Sequence, residues 1–195
     1  MKGVVVFGII LALLPAVYAD WTVTKVHESQ KGYRAFYFWI TSYTITEDTL
    51  SVRAEGFLQL FRQESYPQYT FKLCVEYPGG ASCVEEYILS IEYLGEHKYR
   101  ITVQRGYPGK IGLTAPTTKI VTFGYSTDLS VDAPLKEGTY MLEASLIGPC
   151  LKPYHYVELQ VKKTPPKPAV SVADIINSII RKILELLKSI LDLFR

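Results

Sequence analysis

The chain has 195 residues, with 21 Lys and Arg against 19 Asp and Glu, 48% hydrophobic side chains and three cysteines. Residues 20 to 161 hold 13 basic and 16 acidic side chains, a mildly acidic stretch without the basic face that a nucleic-acid partner needs. About 140 residues suffice for one domain with its own core.

The N-terminus reads as an export signal over residues 1–19. Lys2 supplies a basic start, Val4 to Leu14 an apolar run and Pro15 a break, and Val17-Tyr18-Ala19 offers small residues for cleavage before Asp20. The mature protein is therefore expected to be secreted, or displayed on a cell or virion surface. Asn177 is the only asparagine, so no Asn-x-Ser/Thr acceptor exists. Scarce Asn, Met and Cys beside abundant Ile, Tyr, Glu and Lys is the compositional habit of thermophilic proteins.

A series of strand-like runs follows, rich in β-branched and aromatic residues. They are Trp21 to Val26, Tyr33 to Ile45, Leu50 to Arg62, Tyr69 to Tyr77, Ser82 to Leu94, Lys98 to Gln104, Lys119 to Tyr125, Thr139 to Leu146 and His155 to Lys163. Turn signals such as Glu47-Asp48 and Pro78-Gly79-Gly80 separate them at hairpin lengths. Eight or nine such strands predict a mainly β protein, an antiparallel β-sandwich or barrel, and the absence of βαβ alternation argues against a nucleotide-binding parallel sheet. Residues 105 to 118 and 126 to 138 read as longer loops and as candidate contact surfaces.

Between Tyr69 and Tyr77 the apolar residues fall on odd positions, which sends Cys74 outward with Lys72 and Glu76. Beyond the Pro78-Gly79-Gly80 turn, Val84, Glu86 and Ile88 share one parity and Cys83 and Glu85 the other. Both thiols then face one side of a hairpin, so a Cys74–Cys83 disulfide is expected in an exported chain. Cys150, in a Gly148-Pro149 turn, is left as a free thiol, an intersubunit bridge or a competitor for that pair.

The segment Leu135-Lys-Glu-Gly138-Thr-Tyr140-Met-Leu142-Glu-Ala144, followed by Tyr156-Val-Glu-Leu159-Gln-Val161, resembles the closing strands of immunoglobulin-like and fibronectin type III-like extracellular domains. That resemblance covers about 30 residues. It implies a β-sandwich in which Tyr140 packs at a corner and hydrogen-bonds backward. The Cys…Trp…Cys spacing of antibody domains is absent.

Thr164-Pro-Pro-Lys-Pro168 ends the strand pattern and makes residues 164–170 a semi-rigid spacer after a domain spanning 20–163. Residues 171–195 then form an amphipathic helix, with Ser171 and Asp174 as a capping box. Ile176, Ile180, Ile183, Leu187, Ile190 and Phe194 recur at steps of four and three, a heptad seam. Ile179, Leu186 and Leu193 widen it on one flank, Leu184 and Leu191 on the other. Arg181, Lys182, Glu185, Lys188, Ser189 and Asp192 share the opposite face, too many charges for a bilayer span.

No catalytic set emerges. Gly124-Tyr-Ser126-Thr-Asp128 has Asp where a nucleophile elbow needs its second Gly, so Ser126 reads as a turn residue. Gly106-Tyr-Pro-Gly109-Lys110 lacks the spacing of a phosphate loop and reads as a hairpin turn. His27, His97 and His155 make no metal-ligand pair, and Glu85 and Glu86 should point to opposite faces of one strand. No cofactor and no metal are expected. Fifteen tyrosines include Tyr66, Tyr69 and Tyr107 near turns, candidates for stacking on sugar rings, although Tyr is also favoured in strands for packing alone.

Three destinations compete for the tail. It can assemble with sister helices in a bundle of three or more, lie on a membrane surface helped by Lys162, Lys163 and Lys167, or fold onto its own sandwich. The leading expectation is a non-enzymatic structural or adhesion protein, homo-oligomeric through this helix, whose head meets a surface protein or glycan. A secreted lipid-binding protein is the alternative, and a glycan-binding module the second.

Overall fold

The computed structural model describes residues 21–63, 65–107, 112–149, 152–164 and 172–193. The expected signal segment, Cys150, most of the proline spacer, Ser171 and Phe194 lie outside the described residues. Residues Trp21–Lys162 form one compact unit, and the helical segment belongs to another.

Ten strands are present among the described residues: β1 (Trp21–Lys31), β2 (Phe36–Ile45), β3 (Thr49–Gln59), β4 (Tyr69–Tyr77), β5 (Gly80–Gly95), β6 (Lys98–Gly106), β7 (Thr117–Thr122), β8 (Gly124–Pro134), β9 (Gly138–Ile147) and β10 (Tyr154–Lys163). The helix α1 spans Val172–Leu193. A seven-stranded sheet runs β1-β10-β9-β4-β5-β6-β7, and a three-stranded sheet runs β2-β3-β8. The result is an antiparallel β-sandwich. Alternating residues of both sheets face inward, and Phe38, Leu50, Leu58, Phe71, Leu73, Leu129, Leu142 and Leu159 are essentially buried. A sheet with one wet face requires this period of two.

Three expectations are corrected. The stretch 126 to 138 is no long loop, because most of it is β8, paired with β3 from Gly124–Gln59 to Pro134–Thr49. Ser126 is accordingly a strand residue opposite Phe57, not a turn residue. The run expected over Lys119 to Tyr125 is broken at Phe123, whose φ of 64° turns the chain from one sheet to the other. Its N–H bonds the His97 carbonyl and its carbonyl accepts from Leu60 N–H, both at 2.9 Å.

Close sheet packing explains one glycine. A Cβ on Gly56 would stand 2.7 Å from both Phe38 and Phe71, two rings that meet edge-to-face in the core. At the β8–β9 corner the Tyr140 hydroxyl donates to the Pro134 carbonyl at 2.9 Å and accepts from Lys136 N–H at 2.7 Å. The ring itself is fully buried, so the corner carries the backward bond expected of Tyr140.

Candidate functional site

At 1.5 Å per residue and 100° per step, the helix presents two unlike faces. Ile176, Ile179, Ile180, Ile183, Leu184 and Leu187 occupy a sector about 160° wide when Leu186 is counted by position, and those six are 47–58% exposed. Arg181, Lys182, Glu185 and Lys188 fill the opposite side. Leu186, Ile190, Leu191 and Leu193 continue the same face by sequence, their side chains lying outside the described set. No described helix is long and apolar enough to cross a membrane.

On the outer face of the larger sheet, Cys74 and Cys83 are direct cross-strand partners, their sulfurs 2.06 Å apart. Lys72 and Glu85, one cross-strand pair further on, form an ion pair at 3.6 Å, and Glu85 accepts from the Tyr87 hydroxyl. The three tyrosines singled out in the sequence do not converge. Tyr66 packs edge-on against Tyr99, near the start of β6, at 6.2 Å. Tyr107 follows the far end of that strand, some 25 Å away at about 3.3 Å per residue. Tyr69 opens β4 opposite Ile88 and packs on the core. These rings build no common platform.

Two polar clusters that sequence reasoning missed cross the sandwich interior. Glu86 points inward from β5 and is 1% exposed. Its Oε1 accepts from the Tyr125 hydroxyl at 2.7 Å and from the Thr127 hydroxyl, and its Oε2 accepts from Arg105 Nε at 2.7 Å. Arg105 Nη2 goes on to the Asp128 carbonyl at 2.9 Å, so one buried carboxylate ties β5 and β6 to β8. Burial, reinforced by the bond to Glu86, pushes the Tyr125 phenol far above its ordinary value of 10.

The second cluster centres on His155 of β10, also buried. Its Nδ1 accepts from Ile40 N–H at 3.0 Å, which puts the ring proton on Nε2, and Nε2 donates to Glu28 Oε1 at 2.8 Å. Lys25 also bonds Glu28, and these partners, Lys25 foremost, hold the Glu28 carboxyl below its usual range. Parity offered a signal for both clusters: Glu86 alternates with Val84 and Ile88, and His155 with Val157, Leu159 and Val161.

The other two histidines lie elsewhere, His27 against Tyr156 and His97 stacked on Phe123 at 4.9 Å. Among the described residues no group of three His, Cys, Asp or Glu could hold a metal ion. A polar groove runs along the outer face of the three-stranded sheet, past Ser42, Thr44, Ser51, Ser130 and Asp132, with Arg53 bonded to Asp128 by both Nε and Nη2. It holds carboxylates and hydroxyls but no histidine or thiol to act as base or nucleophile. No family model matches the chain, and no curated protein and no solved structure matches it either.

Proposed function

We propose that this is an exported, non-enzymatic surface protein, structural or adhesive, whose β-sandwich head is assembled into oligomers by its C-terminal helix. One observation carries the reading: six Ile and Leu side chains of α1 stand about half exposed on a single continuous face. Covering the exposed half of such side chains is worth on the order of 1 kcal/mol each, so an exported chain gains by pairing this face with something apolar. The cross-strand cysteine pair supports an oxidising compartment. The Tyr140 corner and the two antiparallel sheets support reading the head as immunoglobulin-like or fibronectin type III-like.

Light scattering on the mature protein, and on a version ending at Lys163, tests the proposal. An oligomer that becomes monomeric on truncation supports it, and a monomer in both cases refutes it. A lipid-binding role draws on the same apolar face. Tail-dependent co-sedimentation of a monomer with phosphatidylglycerol vesicles would replace the first reading with that one.

A further inference from the structure

We infer that α1 gathers at least four copies of this chain, an inference resting on the reading above that sister helices cover its apolar face. The heptad frame places Ile176 and Ile183 at d and Ile180 and Leu187 at a. The frame then assigns Ile179 and Leu186 to g, and Leu184 to e. In a two-stranded coiled coil those flanks are edge positions, usually Glu or Lys, and only the a/d seam is dry. Here the g flank is apolar, the e flank passes from Asn177 in the first heptad to Leu184 in the next, and every charge of the described side chains, Arg181, Lys182, Glu185 and Lys188, falls at b, c or f.

The width of the face sets the number. An a/d seam alone subtends about 50° around a helix, whereas the a, d, e and g set subtends about 155°. The difference, about 100°, is the angle between two separate seams on one helix. A ring of helices places each one's neighbours about 60° apart for three members, about 90° for four and about 108° for five. Three is too tight, and four or five fits. Core identity agrees, because Ile at d with Leu or Ile at a favours more than two strands.

A lipid surface would accept a face this wide but gains nothing from the rest of the helix. Its charged side carries Glu185 and Asp192 among Arg181, Lys182 and Lys188, so attraction to anionic headgroups is weak. A cluster of four or more heads has a functional consequence: a weak contact made by one head is multiplied when several bind together.

Sedimentation equilibrium on the mature protein tests this, in a Cys150→Ser background so that mass reports helix packing rather than an intersubunit disulfide. The expected mass is four or more chains. Replacing the flanks by Ile179→Glu with Leu184→Lys should cut the assembly to two or three, since a and d survive, and Ile180→Glu with Ile183→Glu should leave monomers. A wild-type dimer or trimer overturns the number while keeping tail-driven assembly. A wild-type monomer, bound to phosphatidylglycerol vesicles or not, overturns both. A flank variant that keeps the wild-type mass overturns the role of e and g.

Discussion

The two flanks of the small sheet are fastened by different chemistry. On the β8 side, the buried Glu86 carboxylate pairs with the part-exposed Arg105 guanidinium, which also reaches the Asp128 carbonyl. On the β2 side, the His155 ring accepts from the Ile40 N–H and donates its own N–H to Glu28, whose side chain is 39% exposed. A three-stranded sheet has two edges with backbone groups lacking a strand partner, and each cluster supplies one. The difference lies in what is left behind when a member is removed: a bare buried charge in one case, an unbonded backbone N–H in the other.

Removing Arg105 should therefore cost most. In Arg105→Leu the Glu86 carboxylate stays buried without its cation; breaking a fully buried ion pair from one side costs about 3–5 kcal/mol, which solvent at the 41%-exposed Arg105 side chain cuts to about 2–3 kcal/mol. Equilibrium urea unfolding of the head would show it as a lowered midpoint at unchanged slope. Replacing the whole cluster sharpens the point. Glu86→Leu, Arg105→Leu, Tyr125→Phe and Thr127→Val together should cost far less than Arg105→Leu alone, because no buried polar atom of these four then lacks a partner. Equal losses would mean that the charge pair is not what separates the two flanks.

His155→Phe should cost less, about 1–3 kcal/mol. It keeps ring volume and abandons one buried N–H, while Glu28 falls back on Lys25 and water. Hydrogen exchange at the Ile40 amide would report the loss directly. Protection unchanged in the variant would show that the His155 bond does not hold β2.

Local signals carried more of this fold than composition did. Odd–even parity, with the Pro78-Gly79-Gly80 turn, put Cys74 and Cys83 on one side of a hairpin, and it separated Glu85 from Glu86 onto the two faces of β5. β8 was missed although Tyr125, Thr127, Leu129, Val131 and Ala133 alternate with Ser126, Asp128, Ser130 and Asp132. Asp and Ser read as loop residues when counted, yet on the wet face of an antiparallel strand they are ordinary. The polar clusters could be located only by half. Parity aims Glu86 and His155 inward, but their partners lie 19 to 41 residues away for Glu86 and over 100 for His155. Only the sheet topology brings such groups together. The tail differs again: its heptads are legible in the sequence, but nothing in one chain names what covers their apolar face.

The last effect is a pH slope, seen only at alkaline pH. Burial and the Glu86 bond raise the Tyr125 phenol in the folded head, and burial likewise raises Tyr99 and Tyr140. An unfolded tyrosine releases its proton near pH 10, so above that pH the unfolded chain binds fewer protons than the folded one. As far as these phenols are concerned, stability should thus be flat from about pH 8 to pH 9 and fall beyond pH 10 as each raised phenol resists ionisation. Each such tyrosine contributes up to about 1.4 kcal/mol per pH unit. Tyr125→Phe should lower stability at pH 8 by about one hydrogen bond to a charged group, about 1.5–3 kcal/mol, and should also make the alkaline decline shallower by one proton. On the other flank His155→Phe removes no phenol and should keep the full slope. Urea midpoints measured from pH 8 to pH 11 separate the two variants, and an unchanged slope in Tyr125→Phe would show that this phenol ionises as readily folded as unfolded.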